Sequence, residues 1–170
     1  GDAFTLRYNH GTNNWSVFAR YEDIDPEFRA DAGFIPRVDT KGGAAGVTRI
    51  FHGKPGTGFD QIQVSLSTDR TLDHEGTLTD QGEDLSFSYQ GPMQSVIEAG
   101  LSENRERFDG VPYNNSRRSI FTQVRPTGSA TPWFFASWGE TIDFANSRPA
   151  RFTRMGPGID FKLGRHLRGS

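Results

Sequence analysis

The chain has 170 residues, which is the length of a single domain. Its formal net charge is -2 at pH 7, and its 19 Lys and Arg residues are dispersed, so the sequence predicts no binding to nucleic acid. Cysteine is absent, as in many secreted and envelope proteins, and no apolar run approaches the ~20 residues that a membrane-spanning helix needs.

Apolar and polar residues alternate along most of the chain. The sequence has 14 Phe and 20 Gly but only 34% hydrophobic residues, a combination that favours strands and turns over helices. Alternation with a period of two predicts strands with one apolar and one polar face. In chain order, the predicted apolar stripes are Trp15, Val17, Ala19 and Tyr21; Ala45, Val47 and Phe51; Ile62, Val64 and Leu66; Leu85, Phe87 and Tyr89; Met93, Ile97, Ala99 and Leu101; Phe134, Ala136, Trp138, Ile142 and Phe144; and Ile159, Phe161 and Leu163.

A few residues interrupt this alternation. Phe18 lies on a predicted polar face, and Arg49 and Glu140 lie within predicted apolar stripes. The stretch IEAGLSENRERF, residues 97–108, contains several residues that favour helices. Gly100 within this stretch and the parity of its neighbours nevertheless predict a strand.

Segments that contain Gly, Asn or Pro separate the predicted strands. NHGTNN, VDTKGG, QGP and RPTGSATP are compact and typical of hairpin turns, whereas EDIDPEF, HGKPGTG, DGVPYNNS and ANSRPAR are longer. Short and long connections are therefore predicted to alternate along the chain. About ten strands are predicted, and several of them have the ~9–11 residues of a tilted membrane strand, as in an up-and-down barrel.

Two all-β architectures fit this alternation. A soluble β-sandwich buries its apolar face between two sheets, whereas an outer-membrane barrel turns that face toward lipid. The polar faces are rich in Ser, Gln, Thr and Gly, which can line a barrel interior, and the aliphatic residues are few for a sandwich core. Aromatic residues lie near predicted strand ends, where a membrane interface favours them: Trp15, Tyr21, Phe51, Tyr89, Trp133 and Phe144.

Two residues argue against a continuous barrel wall. Arg49 would cost ~2–4 kcal/mol if it faced lipid at mid-depth, so its position must be shifted toward a rim or turned inward. Pro36 removes a hydrogen-bond donor from the ladder, so a bulge or a strand end is expected there.

The segment FARYEDIDPEFRADAGFIPRVDTKGGAAGVTRIF contains a distinctive pattern. An aromatic strand end is followed by Asp-Pro-x-Phe-Arg-Ala-Asp at residues 25–31, then by Gly33-Phe34-Ile35 and Arg37-x-Asp39. This pattern resembles the C-terminal domain, of uncharacterised function, of bacterial proteins that carry an N-terminal carbohydrate-binding-like domain. The resemblance implies a segment of an outer-membrane β-barrel in a Gram-negative-type envelope.

That family's domain is considerably longer than 170 residues, so the resemblance implies that the chain is one portion of it. The C-terminal sequence GRHLRGS lacks the terminal aromatic residue that is typical of complete outer-membrane barrels. The sequence therefore leaves two alternatives open: a barrel that closes within this chain, or an incomplete wall or piece of a larger assembly. The family also supplies no catalytic residues that could be carried over to this sequence.

The histidines and carboxylates give few signs of a metal site. His10, His52, His74 and His166 have no partner at metal-ligand spacing, so we interpret them as polar residues at the strand rims, with His10 and His52 in turns. The acidic stretch 22–27, EDIDPE, offers alternating carboxylates to Ca²⁺ but lacks the glycine and the distal glutamate of an EF-hand. We interpret it as a solvated turn that Asp25-Pro26 initiates, and we interpret the second acidic group, Asp80, Glu83 and Asp84, as a solvated rim.

Motifs for catalysis are missing from the sequence. The segment GKPGTG lacks the Gly-Lys-Ser/Thr ending of a phosphate loop, no Gly-x-Ser-x-Gly occurs, and no pair of carboxylates stands out for glycoside hydrolysis. The sequence therefore predicts no enzyme and no cofactor. In TPWFFASWGE, Trp133 or Trp138 could stack on a sugar ring, but we favour an interfacial girdle or a core.

We hypothesise that residues 1–170 form one all-β domain of antiparallel, up-and-down strands, an outer-membrane β-barrel or part of one. Tyr21 would mark one membrane rim, EDIDPEFRAD a water-exposed loop, Phe34 the return into the membrane, and DTKGG a tight turn at the opposite rim. The role would be structural, anchoring or conduit-forming in the bacterial outer membrane, with membrane lipid and other envelope proteins as partners. The alternative is a soluble β-sandwich that binds carbohydrate.

Overall fold

The computed structural model describes residues 1–29, 37–108, 110–163 and 167–169. No helix in these ranges has the length and apolar character of a membrane span. A single 3₁₀ turn, Pro92–Gln94, precedes the sixth strand. The strands are β1 (Ala3–Gly11), β2 (Trp15–Ile24), β3 (Thr40–His52), β4 (Gln61–Leu72), β5 (Leu78–Gly91), β6 (Ser95–Phe108), β7 (Val111–Gln123), β8 (Ala130–Asp143), β9 (Arg148–Leu163) and β10 (Leu167–Gly169).

Nine long strands and a three-residue tenth form one antiparallel sheet in sequence order, β1 to β10. Each strand pairs with the next, as in Tyr21 opposite Gly43. This confirms the prediction of an all-β, antiparallel, up-and-down fold. Over the described residues β1 pairs only with β2, so the sheet is open and does not close into a barrel.

Cross-strand pairs explain why the alternating segments form this sheet. Val64 faces Phe87 and Leu66 faces Leu85 across β4 and β5, so apolar side chains meet on one side and serines on the other. The stretch 97–108 lies within β6, which confirms the strand prediction made against its helical composition. Gly100 in this strand pairs with Ser86 on one side and with Ser119 on the other.

The sheet is a single layer. Throughout the described chain the only buried hydrophobic residues are Ile24, Tyr113 and Ile142, which all lie on strands near the same end of the sheet. The alternative of a two-sheet sandwich is wrong for these residues, because the ladder continues from strand to strand and no strand leaves it for a second sheet. The apolar rings and aliphatic side chains are consequently exposed, not sealed between two layers.

The connections lie at two ends, which we name after a residue in each. Of the described residues, the His74 end carries 25–29, 37–39, 73–77, 110 and 144–147, and the Trp15 end carries 12–14, 53–60, 92–94 and 124–129. Each end has both short and long connections, so the predicted alternation of lengths is wrong. In particular, residues 111–116 of DGVPYNNS lie in β7, and residues 148–151 of ANSRPAR lie in β9.

The prediction that DTKGG forms a tight turn at the opposite rim is also wrong. Thr40 begins β3, and Gly43 pairs with Tyr21, so both residues lie near the His74 end. Gly42 and Gly43 do not form a turn but allow the neighbouring strands to approach closely. A β-carbon at Gly43 would lie 2.8 Å from the Arg20 carbonyl oxygen. The expectations at Phe34 and Pro36 concern residues outside the described ranges.

Candidate functional site

The register divides the side chains of the sheet between an apolar face and a polar face, because cross-strand partners point to the same side. Of the twenty-four large hydrophobic residues that are exposed, eighteen belong to the apolar face. Such one-sided exposure is the main candidate feature of this chain. The eighteen are Phe4, Leu6, Tyr8, Trp15, Tyr21, Val47, Phe51, Val64, Leu66, Leu85, Phe87, Ile97, Leu101, Phe134, Trp138, Met155, Ile159 and Phe161.

The apolar face changes character along the strands from β6 to β9. The row Ala99, Ile120, Ala136 and Met155 is wholly apolar. The next row on this face, two residues further along each strand toward the His74 end, holds Arg118 and Trp138. The row after that holds Glu103, Ser116, Glu140 and Arg151. An apolar band toward the Trp15 end therefore gives way to a charged band toward the His74 end.

Arg49 lies on the apolar face but at its rim. Its guanidinium carbon lies 4.6 Å from the ring centroid of its partner Trp15 and 4.9 Å from that of Phe51. Its Nη1 donates to the Asn14 carbonyl in the first turn, at 3.4 Å. Of the two positions expected for Arg49, the structure has the one near a rim, where aromatic faces and a turn carbonyl receive the charge.

The aromatic residues expected at strand ends divide among three places. Trp15, Phe51 and Tyr89 lie on the apolar face at the Trp15 end, where the Tyr89 hydroxyl donates to the Gly58 carbonyl at 2.5 Å. Tyr21 lies on the same face toward the His74 end. Trp133 instead lies on the polar face, and Phe144 follows β8 in a turn, so these two do not belong to a girdle on the apolar face.

The polar face is built mainly from Ser, Gln, Thr, Gly and charged residues, with a few rings that lie on glycines. Phe18 pairs with Gly46, Phe135 with Gly156 and Trp133 with Gly158. In each pair a β-carbon on the glycine would meet the partner's ring. The rings thus cover backbone that has no side chain of its own, which explains how Phe18 fits a polar face.

The two tryptophans considered for sugar stacking lie on opposite faces. Trp133 is stacked against Phe135 on the polar face, with the ring centroids 6.1 Å apart and an interplanar angle of 25°. Trp138 lies on the apolar face beside Arg118. A joint platform of Trp133 and Trp138 is therefore not formed.

The polar face also has a shallow groove of about 390 Å³ over Gly100. Gly100 has no side chain and so leaves space on this face in the middle of the sheet. The groove there is lined by Phe121, Phe135 and Glu98. Several serines complete its lining. The groove is open to the surroundings.

His74 lies in the connection between β4 and β5 and bonds to the end of β2 and to the connection before β3. Its Nε2 lies 2.9 Å from Asp23 Oδ1 at the end of β2, and its Nδ1 lies 2.8 Å from Asp39 Oδ1, just before β3. The His74 backbone N–H also donates to Asp39 Oδ1, at 3.1 Å. We call these three residues the His74 clasp.

The His74 clasp fixes the charge of the imidazole. An ionised carboxylate only accepts hydrogen bonds, so two carboxylate partners require a proton on each ring nitrogen. The hydrogen bond to Asp39, followed by the one to Asp23, accordingly raises the pKa of His74 above its ordinary value. The backbone N–H of His74, followed by its side chain, lowers the pKa of Asp39.

The other histidines lie elsewhere. His10 and His52 belong to β1 and β3, so their expected placement in turns is wrong. His52 Nε2 lies 2.7 Å from the Asn13 carbonyl oxygen in the first turn. His166 lies outside the described residues.

The acidic stretch 22–27 does not converge on one point. Glu22 and Asp23 are consecutive residues of β2 and point to opposite faces. Asp25 Oδ1 accepts the Glu27 N–H at 2.8 Å and its carbonyl accepts the Phe28 N–H at 3.1 Å, which is the local bonding expected of a turn.

The second acidic group is also divided between the faces. Asp80 and Asp84 lie on the polar face and Glu83 on the other. Asp80 pairs with Arg37 at 2.6 Å. Among the described residues no group of three or more His, Asp or Glu side chains is arranged to hold a metal ion.

The described residues form a sheet with an apolar face and a polar face. Aromatic rings and Arg49 lie at its Trp15 end, and the His74 clasp lies at its opposite end. Sequence reasoning missed the clasp, because its members are far apart in sequence and only the register aligns their strand ends. No family model, curated protein or solved structure matches the chain. The resemblance in residues 18–51 therefore stays a prediction.

Proposed function

We propose that the chain forms part of the wall of a β-barrel in the outer membrane of a bacterium, with a structural, anchoring or conduit role. The observation that carries this proposal is the apolar face, where eighteen large hydrophobic side chains are exposed on one side of a single sheet. The polar face would line the interior. The open edge of β1, and the edge of β9 beyond its short pairing with β10, would pair with further strands, from the same protein or from other envelope proteins.

The cost of this surface in water supports the proposal. Full exposure of a large apolar side chain costs ~1.5–3 kcal/mol, and these eighteen are 36–66% exposed, so the sum is roughly 20 kcal/mol. Hydrocarbon removes this cost, because the side chains then exchange water for an apolar solvent.

Strand length agrees with a membrane span. The shortest of the nine long strands has 9 residues and the longest has 16, against the ~9–11 that a tilted membrane strand needs. The strands from β3 to β9 have 12 to 16 residues, and from β6 to β9 the apolar face becomes charged toward the His74 end. The excess residues would project into the headgroup region and the water.

Flotation with lipid vesicles tests this function. The purified 170-residue chain, refolded from urea into vesicles, is expected to float with the lipid and to migrate differently on a gel before and after heating. Refolding from urea into buffer without lipid or detergent is the control and is expected to give precipitate. A monodisperse monomer in detergent-free buffer, which stays at the bottom of the gradient, would contradict the proposal.

A second candidate, oligosaccharide binding, is supported by the stacked Trp133 and Phe135 on the polar face. Stacked rings on a polar surface suit the apolar faces of pyranoses. Tryptophan fluorescence is expected to change on titration with an oligosaccharide that binds there, and Trp133→Leu is expected to abolish the change. The same change in Trp133→Leu would remove this candidate.

A further inference from the structure

A groove of about 410 Å³ lies on the apolar face where β7 and β8 separate. Their ladder runs from Gln123–Trp133 to Ser116–Glu140, and beyond Ser116 the remaining residues of β7, 111–115, have no partner in β8. We call this the splay groove. Its side chains on the apolar face include Glu103, Ser116, Arg118, Trp138, Glu140 and Arg151.

The splay groove lies at the boundary between the apolar and charged bands. Arg118 and Trp138 are partners in one row, while Ala136 and Met155 in the row toward the Trp15 end are apolar. If the apolar band lies in hydrocarbon, this row lies at the depth of the lipid headgroups. Trp is favoured at this depth because its ring is apolar and its N–H is polar.

The charges of the splay groove are balanced but loosely paired. Arg118 Nη2 lies 3.6 Å from Glu103 Oε1, and Arg151 Nε lies 3.6 Å from Glu140 Oε1. Both separations exceed hydrogen-bond length. The Arg151 side chain is 88% exposed and the Arg118 side chain 48%, so each guanidinium keeps N–H donors that can reach a ligand.

We infer that the splay groove binds the headgroup of a zwitterionic phospholipid. The phosphodiester would accept hydrogen bonds from Arg118 and Arg151, because the guanidinium fork matches phosphate oxygens. The ammonium group would lie near Glu103 and Glu140, and the acyl chains would follow the apolar rows past Met155. Two cations and two anions in one groove suit a headgroup that carries one charge of each sign. This inference rests on the proposed function, since it places the row of Trp138 at the membrane interface.

Lipid retention in detergent tests this inference with a defined probe. The full chain is mixed with dioleoyl phosphatidylethanolamine, and the bound lipid is counted by native mass spectrometry. Arg118→Gln with Arg151→Gln is expected to weaken retention about tenfold, since two charge-assisted hydrogen bonds are lost. Arg70→Gln with Arg107→Gln removes the same charge from the same face outside the splay groove and is expected to retain the lipid as the wild type does.

Three comparison ligands test the contributions of the phosphate, the amine and the acyl chains separately. Dioleoyl glycerol, which lacks phosphate, and dioleoyl phosphatidylglycerol, which lacks the amine, are expected to be retained more weakly than the zwitterionic lipid. Soluble glycerophosphoethanolamine is expected to compete only weakly, because it has no acyl chains. Equal retention of dioleoyl glycerol, or equal binding of the soluble headgroup, would overturn the inference.

Vesicle flotation of each variant distinguishes failure of the splay-groove inference from failure of the proposed function. Variants that float like the wild type and also retain the zwitterionic lipid equally would overturn the splay-groove inference and leave the membrane function standing. A wild-type chain that does not float would overturn the proposed function and the splay-groove inference together.

Discussion

Trp133 and Gly158 are direct partners across β8 and β9, and the indole ring lies where a side chain on the glycine would be. A β-carbon on Gly158 would overlap the six-membered part of the indole. The ring therefore depends on the absence of a side chain at residue 158. Phe18 depends in the same way on Gly46.

Gly158→Ala is expected to destabilise the folded chain by ~1–3 kcal/mol, because the indole must leave its position or the strands must move apart. Gly128→Ala is the matched control, since a β-carbon there meets nothing within 4 Å, and it is expected to change stability by less than ~0.5 kcal/mol. Urea unfolding followed by tryptophan fluorescence measures both. Equal effects of the two substitutions would contradict the packing of Trp133 on Gly158.

Phe87→Arg tests the proposal that the apolar face meets lipid. Phe87 lies within the apolar band, so an arginine there is expected to cost ~2–4 kcal/mol on folding into vesicles. Ser86→Arg is the matched control on the neighbouring residue and the opposite face, where the groove over Gly100 leaves room for a long side chain. The folded fraction is read from gel migration without heating, and a larger loss in Ser86→Arg than in Phe87→Arg would reverse the assignment of the faces.

Arg49 and Trp15 are expected to be coupled. A guanidinium over an exposed aromatic ring contributes ~0.5–1 kcal/mol, so Arg49→Gln and Trp15→Leu should each destabilise the chain and should not be additive. A double-mutant cycle measured by urea unfolding gives the coupling energy. The control is the pair of Arg49 and Val64, which are partners across β3 and β4. A coupling energy for this pair as large as that of Arg49 with Trp15 would argue against the ring contact.

The His74 clasp predicts a dependence of stability on pH. Because the pKa of His74 is raised in the folded chain, its contribution is complete below the unfolded value of 6.5 and is lost as the pH rises through the folded pKa. Because the pKa of Asp39 is lowered, its contribution is present above 3.8 and is lost as the pH falls through the folded pKa. The clasp is therefore strongest between pH 3.8 and pH 6.5.

Thermal unfolding at a series of pH values measures this dependence. Wild-type Tm is expected to fall relative to that of His74→Gln as the pH rises above neutral. His52→Gln is the control, since His52 lies at the Trp15 end, away from the clasp. The same Tm difference between wild type and His74→Gln at pH 5.5 and pH 9 would argue that the imidazole carries no proton between its two carboxylates.

Local patterns predicted the strands well, because a period of two is a property of consecutive residues. Ile62, Val64 and Leu66 share a face in the sequence and in the sheet. The same rule places Trp133 and Trp138 on opposite faces, since they are five positions apart, so their placement on different faces could have been predicted from the sequence. Glycine is harder to interpret, because Gly42 and Gly43 look like a turn but serve close approach between strands.

The sequence did not predict the register in which the strands pair. The His74 clasp needs the ends of β2 and β4 and the start of β3 to align, and nothing in the residues near Asp23, Asp39 or His74 reports that alignment. The splay groove likewise depends on where the ladder between β7 and β8 stops. Both features arise from pairing between segments that are distant in the sequence.

Cysteine scanning with a lipid-phase quencher most directly tests the proposal that the apolar face meets lipid, because the chain has no cysteine of its own and every label is unique. Fluorophores attached at residues 64 to 67 of β4, one variant at a time, are examined in vesicles of brominated lipid. Strong quenching at Val64 and Leu66 with weak quenching at Ser65 and Ser67 is the predicted result. Equal quenching at all four positions, or stronger quenching at the two serines, would contradict it.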